Sequence, residues 1–268
     1  MITRATFETC APSAVMPTDE LFNRISDYIA QGEAYAQHIM GPLWSTSDTY
    51  IVTVKNRVIC LQAYDLALPH LDIVLTETGF GVVNNQNVAP ASADRVNRLR
   101  QQVRDSRDDA VDDLLGICRG QSGWAAWATT IGVFDSLVWN AHEQMPVMGI
   151  VDAHRTRLVE LRPKISAAEE ILKQRISDAL HAELCEAIMD NDATTVQHIV
   201  INKALIFIGA HLSGDFRVAG FHLDKLVEFL DQHLEDFSTY ANSSAYEANT
   251  FTPYENQKDD PCYFFGQR

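Results

Sequence analysis

Apolar residues recur every three or four positions along most of this chain, the spacing that gathers them on one face of a helix. The pattern predicts a mainly α protein, a helical bundle, and one stretch breaks it. In LDIVLTETGFGVVNNQNVAPASADRVNRL, from Leu71 to Leu99, an apolar run meets Gly79 and Gly81, and an asparagine-rich turn follows. Gly79-Phe80-Gly81 does not make a phosphate loop. A dinucleotide fingerprint needs a third glycine at the mouth of a helix, and a Walker loop needs Gly-Lys-Ser/Thr. Val82 and Val83 come next, and they read as strand. A small β-ribbon insertion over about 71–88, with glycine at turn or bulge positions, accounts for these residues.

A two-stranded ribbon is marginal on its own and exposes unpaired backbone along its edges. Its partner is either intramolecular, with YIVTV at Tyr50–Val54 as the candidate, or a ribbon or arm from an adjacent copy. The second option makes Thr78, Gly79, Phe80, Gly81, Val82 and Val83 a candidate oligomer interface.

Around the ribbon the helices read as follows. Residues 1–18, polar with two prolines, form an extended N-terminal arm. A helix starts at Asp19, carries Phe22, Ile25, Tyr28, Ile29, Ala36 and Ile39, and ends at Gly41-Pro42. Ile51, Val54, Val58, Leu61, Asp65 and Leu68 favour helix up to Pro69, although the β-branched start leaves strand open there. Ser92 is an N-cap, Asp94 suits the first turn, and the helix runs to Gly120. SGWAAWATTIGVFDSLVWN reads as a tryptophan-bearing helix, and Met148 to Leu161 as a short one before Pro163. Ser166-Ala-Ala-Glu169 fits a capping box opening a long helix through Ile188. Helices over roughly 193–212 and 221–237 complete a domain spanning 19–237, the first of them central because it is apolar on most sides. From Ser238 the pattern dissolves into a C-terminal arm, 238–268. Its aromatic side chains, Tyr254, Tyr263, Phe264 and Phe265 among them, are numerous enough to dock on the bundle or on a neighbouring subunit.

Charge narrows the function classes. The formal net charge is -15. Binding to a nucleic-acid backbone or to anionic lipid relies on Lys and Arg, which are in short supply here. An acidic wall past which DNA slides without sticking remains compatible with that charge. No run of eighteen apolar residues occurs, so no membrane span is expected, and the N-terminus lacks the pattern of a secretory signal. Five scattered cysteines without a CxxC pair read as reduced thiols and not as a zinc framework.

Three groups of residues bear on chemistry. His181 and Cys185 lie four apart on one helix face with Glu183 and Glu186 nearby, half of a metal site or a packing face. His142-Glu143 and Asp152-His154 could supply an acid and a base, but no G-x-S-x-G elbow accompanies them. RVNRLRQQVRDSRDDAVDD is either a solvated face with pairs at helical spacing or a rim meeting the next copy. No catalytic residue, cofactor or metal is assigned.

LDIVLTETGFGVVNNQNVAPASADRVNRLRQQVRDSRDDAVDDLL, with its T-x-x-G-F-G-V-V ribbon and A-P-A-S turn, resembles a family of uncharacterised proteins from Bacteroidetes and their phages and prophages. The likeness continues through RTRLVELRPKISAAEEILKQRISDAL and the ending DDPCYFFG. Such proteins are encoded among virion structural genes. The resemblance therefore implies a head–tail connector or adaptor: a homo-oligomeric ring at the neck of a virion, assembled in the bacterial host cytoplasm, between portal protein and tail or other neck proteins. DNA would pass through its channel without specific binding. It implies no catalytic residues. The competing expectation is a small soluble metal-binding protein or hydrolase using a His/Cys/Glu site.

Overall fold

Phe7 sets the first departure from that reading. The computed structural model describes residues 2–11, 19–71, 73–76, 79–82 and 92–250, the two strands by their backbone alone. Residues 4–10 are not an extended arm but a helix, α1 (Arg4–Cys10), capped by Thr3, whose side chain accepts from the Thr6 N–H. Phe7 is fully buried against Phe22 and Tyr64, with ring centroids 6.1 and 6.0 Å away. Burying an aromatic ring of this size stabilises by roughly 2–3 kcal/mol, enough to fix a two-turn helix that has little stability of its own.

The helix expected from Asp19 to Gly41 is two, α2 (Asp19–Ser26) and α3 (Ile29–Met40), followed by a 3₁₀ turn, Gly41–Ser45. YIVTV is helical, within α4 (Thr49–Leu71). Its β-branched residues are overridden by burial: Ile51, Val54, Val58, Leu61, Asp65 and Leu68 all face the interior. β1 (Ile73–Thr76) and β2 (Gly79–Val82) pair antiparallel, Ile73 opposite Val82 and Thr76 opposite Gly79. Thr78 and Val83, and the rest of the expected ribbon to residue 88, lie outside the described residues.

Ser92 does precede α5 (Ala93–Cys118), with Asp94 in the first turn, although the Ser92 side chain makes no capping bond. The tryptophan segment is helical only over α6 (Ala125–Ile131). Gly132, at a φ of 64°, takes the left-handed conformation that ends it. The chain then runs through the interior as irregular backbone, burying Phe134, Leu137, Val138 and Trp139, to the single turn α7 (Ala141–Gln144).

α8 (Arg155–Ile176) passes straight through both Pro163 and the supposed capping box. Leu158, Leu161, Ile165, Ala168, Leu172 and Ile176 form one unbroken buried stripe, and their packing outweighs the roughly 3 kcal/mol a proline costs inside a helix. The break falls instead at Ser177, a non-glycine residue at a φ of 79° whose side chain caps α9 (Asp178–Asp190) through the Leu180 N–H. Thr194 and Gln197 form a true capping box at the start of α10 (Thr195–Leu212). α10 is long and apolar enough to cross a membrane, yet Val200, Ile201, Ala204, Leu205, Phe207 and Ile208 are buried within the bundle. α11 (Phe216–Asp231) returns antiparallel beside it, starting five residues earlier than expected.

The helices continue past Ser238, where the sequence pattern predicts an arm. Ser238–Ala241 (α12) and Ser244–Thr250 (α13) are helical, and Tyr240 is fully buried. Its hydroxyl donates to Asp231, 3.1 Å away, and accepts from Asn249 at 3.1 Å, so these residues close the bundle. One hydrophobic core runs from Ile2 to Tyr240. The described chain is thus a mainly helical bundle.

Candidate functional site

Pro163 and Ser166 fail to break α8, and that single fact places Glu169 in the interior. Its Oε1 accepts from the Leu137 N–H at 2.8 Å and from the Ser136 hydroxyl at 3.0 Å. It also stands 3.6 Å from Nε2 of His181 on α9. The other ring nitrogen of His181, Nδ1, is 3.8 Å from Sγ of Cys185, one turn further along the same helix. Helical spacing of four accounts for the His–Cys pair, and the packing of α9 on α8 adds the carboxylate. His181 and Glu169 are 3% and 4% exposed, so the three groups sit in a medium where such contacts are strong.

Cys185 and His181 border a cleft of about 460 Å³, whose wall also includes Phe134, Asp135, Lys173 and Glu186, while Glu169 lies behind His181. A thiol, an imidazole and a carboxylate in series is the order used for nucleophilic catalysis. Burial, however, pushes the Cys185 thiol up to about 12, so it is held as the neutral thiol at physiological pH. His181 Nε2 makes no hydrogen bond. For metal binding the set is short of donors. Among the described residues no group of three or more His, Cys, Asp and Glu side chains is placed to hold an ion, and the Glu169 oxygen is already committed to the backbone. Glu183, expected beside the pair, turns away to Thr239 and Gln197. Glu169 was hidden from the sequence reading because it looked like a helix start; the stripe that continues in phase across Pro163 is the signal that reveals it.

Of the expected acid–base pairs, Asp152–His154 is present and His142–Glu143 is not. His142 bonds Asp109 at 2.6 Å, and His154 lies 3.7–3.9 Å from Asp105, Asp109 and Asp152. The two imidazoles meet at 6.2 Å on the acidic side of α5. Glu143 stays apart, its N–H capped by Asn140. Ion pairs as solvated as these contribute at most about 1 kcal/mol each.

The Arg/Asp segment of α5 is neither wholly a solvated face nor only a rim. Asp65 of α4 accepts from Arg104 and Arg107, each at 3.0 Å. Asp108 takes Arg107 at 2.8 Å and the Thr156 N–H at 2.6 Å, capping the start of α8. Asp112 takes Arg155 and the Ala141 N–H, both at 2.7 Å. Burial nonetheless raises the Asp112 carboxyl above its ordinary value, Arg155 opposing it. These side chains knit α4, α5 and α8 together, while Arg95 and Arg98 stay exposed at the start of α5.

A larger cleft, about 790 Å³, separates α3 from α6; among its described lining residues His38 is the sole titratable side chain. Of the expected interface residues, Gly79, Phe80, Gly81 and Val82 form β2, while Tyr254, Tyr263, Phe264 and Phe265 lie outside the described residues.

Residues 18–122 match a family of unknown function (DUF6712). That span runs from the start of α2 past the end of α5. No characterised protein and no solved structure matches the chain.

Proposed function

We propose that this chain is a structural subunit of a phage virion, a head–tail connector or adaptor whose copies join into a ring at the neck between portal and tail. The observation that carries the reading is the strand pair β1–β2, set between the two long helices α4 and α5. Among the described residues these strands pair only with each other, which leaves both outer edges with unpaired backbone donors and acceptors. A strand or arm from an adjacent copy satisfies those groups by extending the sheet. Joined head to tail with a rotation that closes, such contacts make a ring. The net charge of -15 supports a lumen through which DNA passes without being held.

Removing residues 76–88 is the direct test. The full chain is expected to form rings visible by negative stain and a multimeric mass by light scattering. The deletion variant keeps its helical circular dichroism and runs as a monomer. Rings formed by the deletion variant, or a full chain monomeric at every concentration, would overturn the proposal.

A second reading, a thiol hydrolase, is favoured by Cys185 and His181 on the wall of their cleft, with Glu169 behind the imidazole. The raised thiol counts against it, because His181 would have to remove the proton in the reaction itself. On the ring reading, Cys185→Ser changes neither assembly nor thioester turnover, and purified protein carries no stoichiometric zinc. Thioester hydrolysis that vanishes in Cys185→Ser would establish the thiol chemistry instead.

A further inference from the structure

Four cysteines lie among the described residues, and they divide by environment. Cys118 and Cys185 are buried singly, and burial raises each thiol to about 12. The register of α1 on α4 sets Cys10 opposite Cys60: Phe7 packs on Tyr64, and Thr6, Thr9 and Cys10 share a cleft wall with Thr53 and Asn56, on the helical face of α4 that also carries Cys60. Cys10 is the last residue of α1, half-buried; Cys60 is fully buried in α4. Interaction with the neighbouring Cys60 thiol, helped by the charge of Arg57, lowers the Cys10 thiol below its ordinary value against the opposing effect of its partial burial. Cys60 is driven the opposite way by the same interaction and by burial. A cleft of about 340 Å³, walled by Ala5, Thr6, Thr9, Thr53 and Asn56, opens onto Cys10. The Phe7 ring, locked on Tyr64, holds the two helices in this register.

A half-buried thiol at a cleft beside a fully buried one is the arrangement of a redox-responsive dithiol. We propose that Cys10 and Cys60 form such a site, in which a small-molecule disulfide entering the cleft oxidises the pair and staples α1 to α4.

The exchange balances as follows, with oxidised glutathione as the oxidant. The Cys10 thiolate attacks one glutathione sulfur, its disulfide breaks, and the departing glutathione thiolate takes up a proton. Cys60 then gives up its proton, and its sulfur attacks the Cys10 sulfur of the mixed disulfide and expels the second glutathione, which carries that proton away. Two protein thiols are oxidised and one glutathione disulfide becomes two thiols.

The test treats the full chain with oxidised glutathione and maps its peptides without reduction. The expected product has lost two hydrogens, links the peptides that contain Cys10 and Cys60, and melts roughly 5 °C higher or more until dithiothreitol restores the starting value. Cys10→Ser abolishes the link, and Cys60→Ala leaves glutathione parked on Cys10. Because Cys60 is buried and its variant is the more prone to misfold, the wild-type peptide map decides. Glutathione retained on wild-type Cys10, a link between other cysteines, or no reaction would each overturn the proposal. The site is independent of the ring reading, since a monomer would carry it equally.

Discussion

Replacing Glu169 by alanine lowers the stability of the folded chain by about 3–5 kcal/mol, read as a shift of the urea midpoint at unchanged slope. The magnitude follows from what the carboxylate holds. Residues 134–139 cross the interior without regular structure, so their backbone groups find no partners in a helix or sheet. Distant side chains supply them. Glu169 accepts from the Leu137 N–H and the Ser136 hydroxyl. Gln144 accepts from the N–H groups of Trp139 and Asn140 and donates to the Leu137 carbonyl. Arg162 and Arg155 donate to the carbonyls of Val138 and Trp139. Alanine at 169 orphans the Leu137 N–H, leaves the Ser136 hydroxyl only its longer bond to the Val138 carbonyl, opens a cavity and removes a negative charge that supports half-buried Arg162. Glutamine keeps an oxygen in place and is expected to lose less than half as much. Equal losses for the two variants would mean that the hydrogen bonds to this segment contribute little. The thermal midpoint should fall by about 10 °C in Glu169→Ala.

That same segment shows where the sequence stops being informative. SGWAAWATTIGVFDSLVWN has helical spacing and two tryptophans a turn apart, and nothing local says that its second half leaves the helix and turns inward. The groups that make an irregular buried path tolerable come from α5, α7 and α8, between about 5 and 33 positions away. The case of α4 is the opposite. Its buried face, Ile51 to Leu68, is the one its spacing names, down to Asp65, because the burial pattern of a long helix is periodic and local. Punctuation was the weakest signal. Pro163 and Ser166-Glu169 carry stop and start chemistry that packing overrides, whereas the true break at Ser177 has no glycine or proline to announce it.

The candidate site was legible in part for the same reason. His181 and Cys185 are neighbours by helix geometry alone, so sequence names them; Glu169 reaches them only through the packing of two helices. The two histidines were legible in part: Asp152 does lie 3.7 Å from His154, but Glu143 is not the partner of His142, and Asp105 and Asp109 approach from α5. Contacts set by tertiary packing carry no spacing in the chain, and they decide what the chemistry can be.

Gly209→Ala and Gly220→Ala are expected to move stability in opposite directions, although each adds one methyl group to the interior of a helix. At Gly220 in α11 a new Cβ meets nothing within 4 Å. Alanine there removes backbone freedom from the unfolded chain and raises stability by about 0.5–1 kcal/mol. At Gly209 in α10 the new carbon would lie 2.1 Å from the carbonyl oxygen of Met148 and 2.7 Å from its Cα. Neither atom belongs to a flexible side chain. Met148 is anchored on both sides, its N–H bonded to Gln144 and the following Ile150 N–H to Met145. Relief therefore requires moving that backbone off α10. Overpacking of this kind costs about 2–4 kcal/mol and overrides the helix preference of alanine. Urea denaturation of the two variants beside the wild type reads both signs in one experiment. A Gly209→Ala protein as stable as the wild type would show that the turn after α7 does not rest on α10. The helix that comes nearest to membrane-like apolarity would then owe its burial to other neighbours.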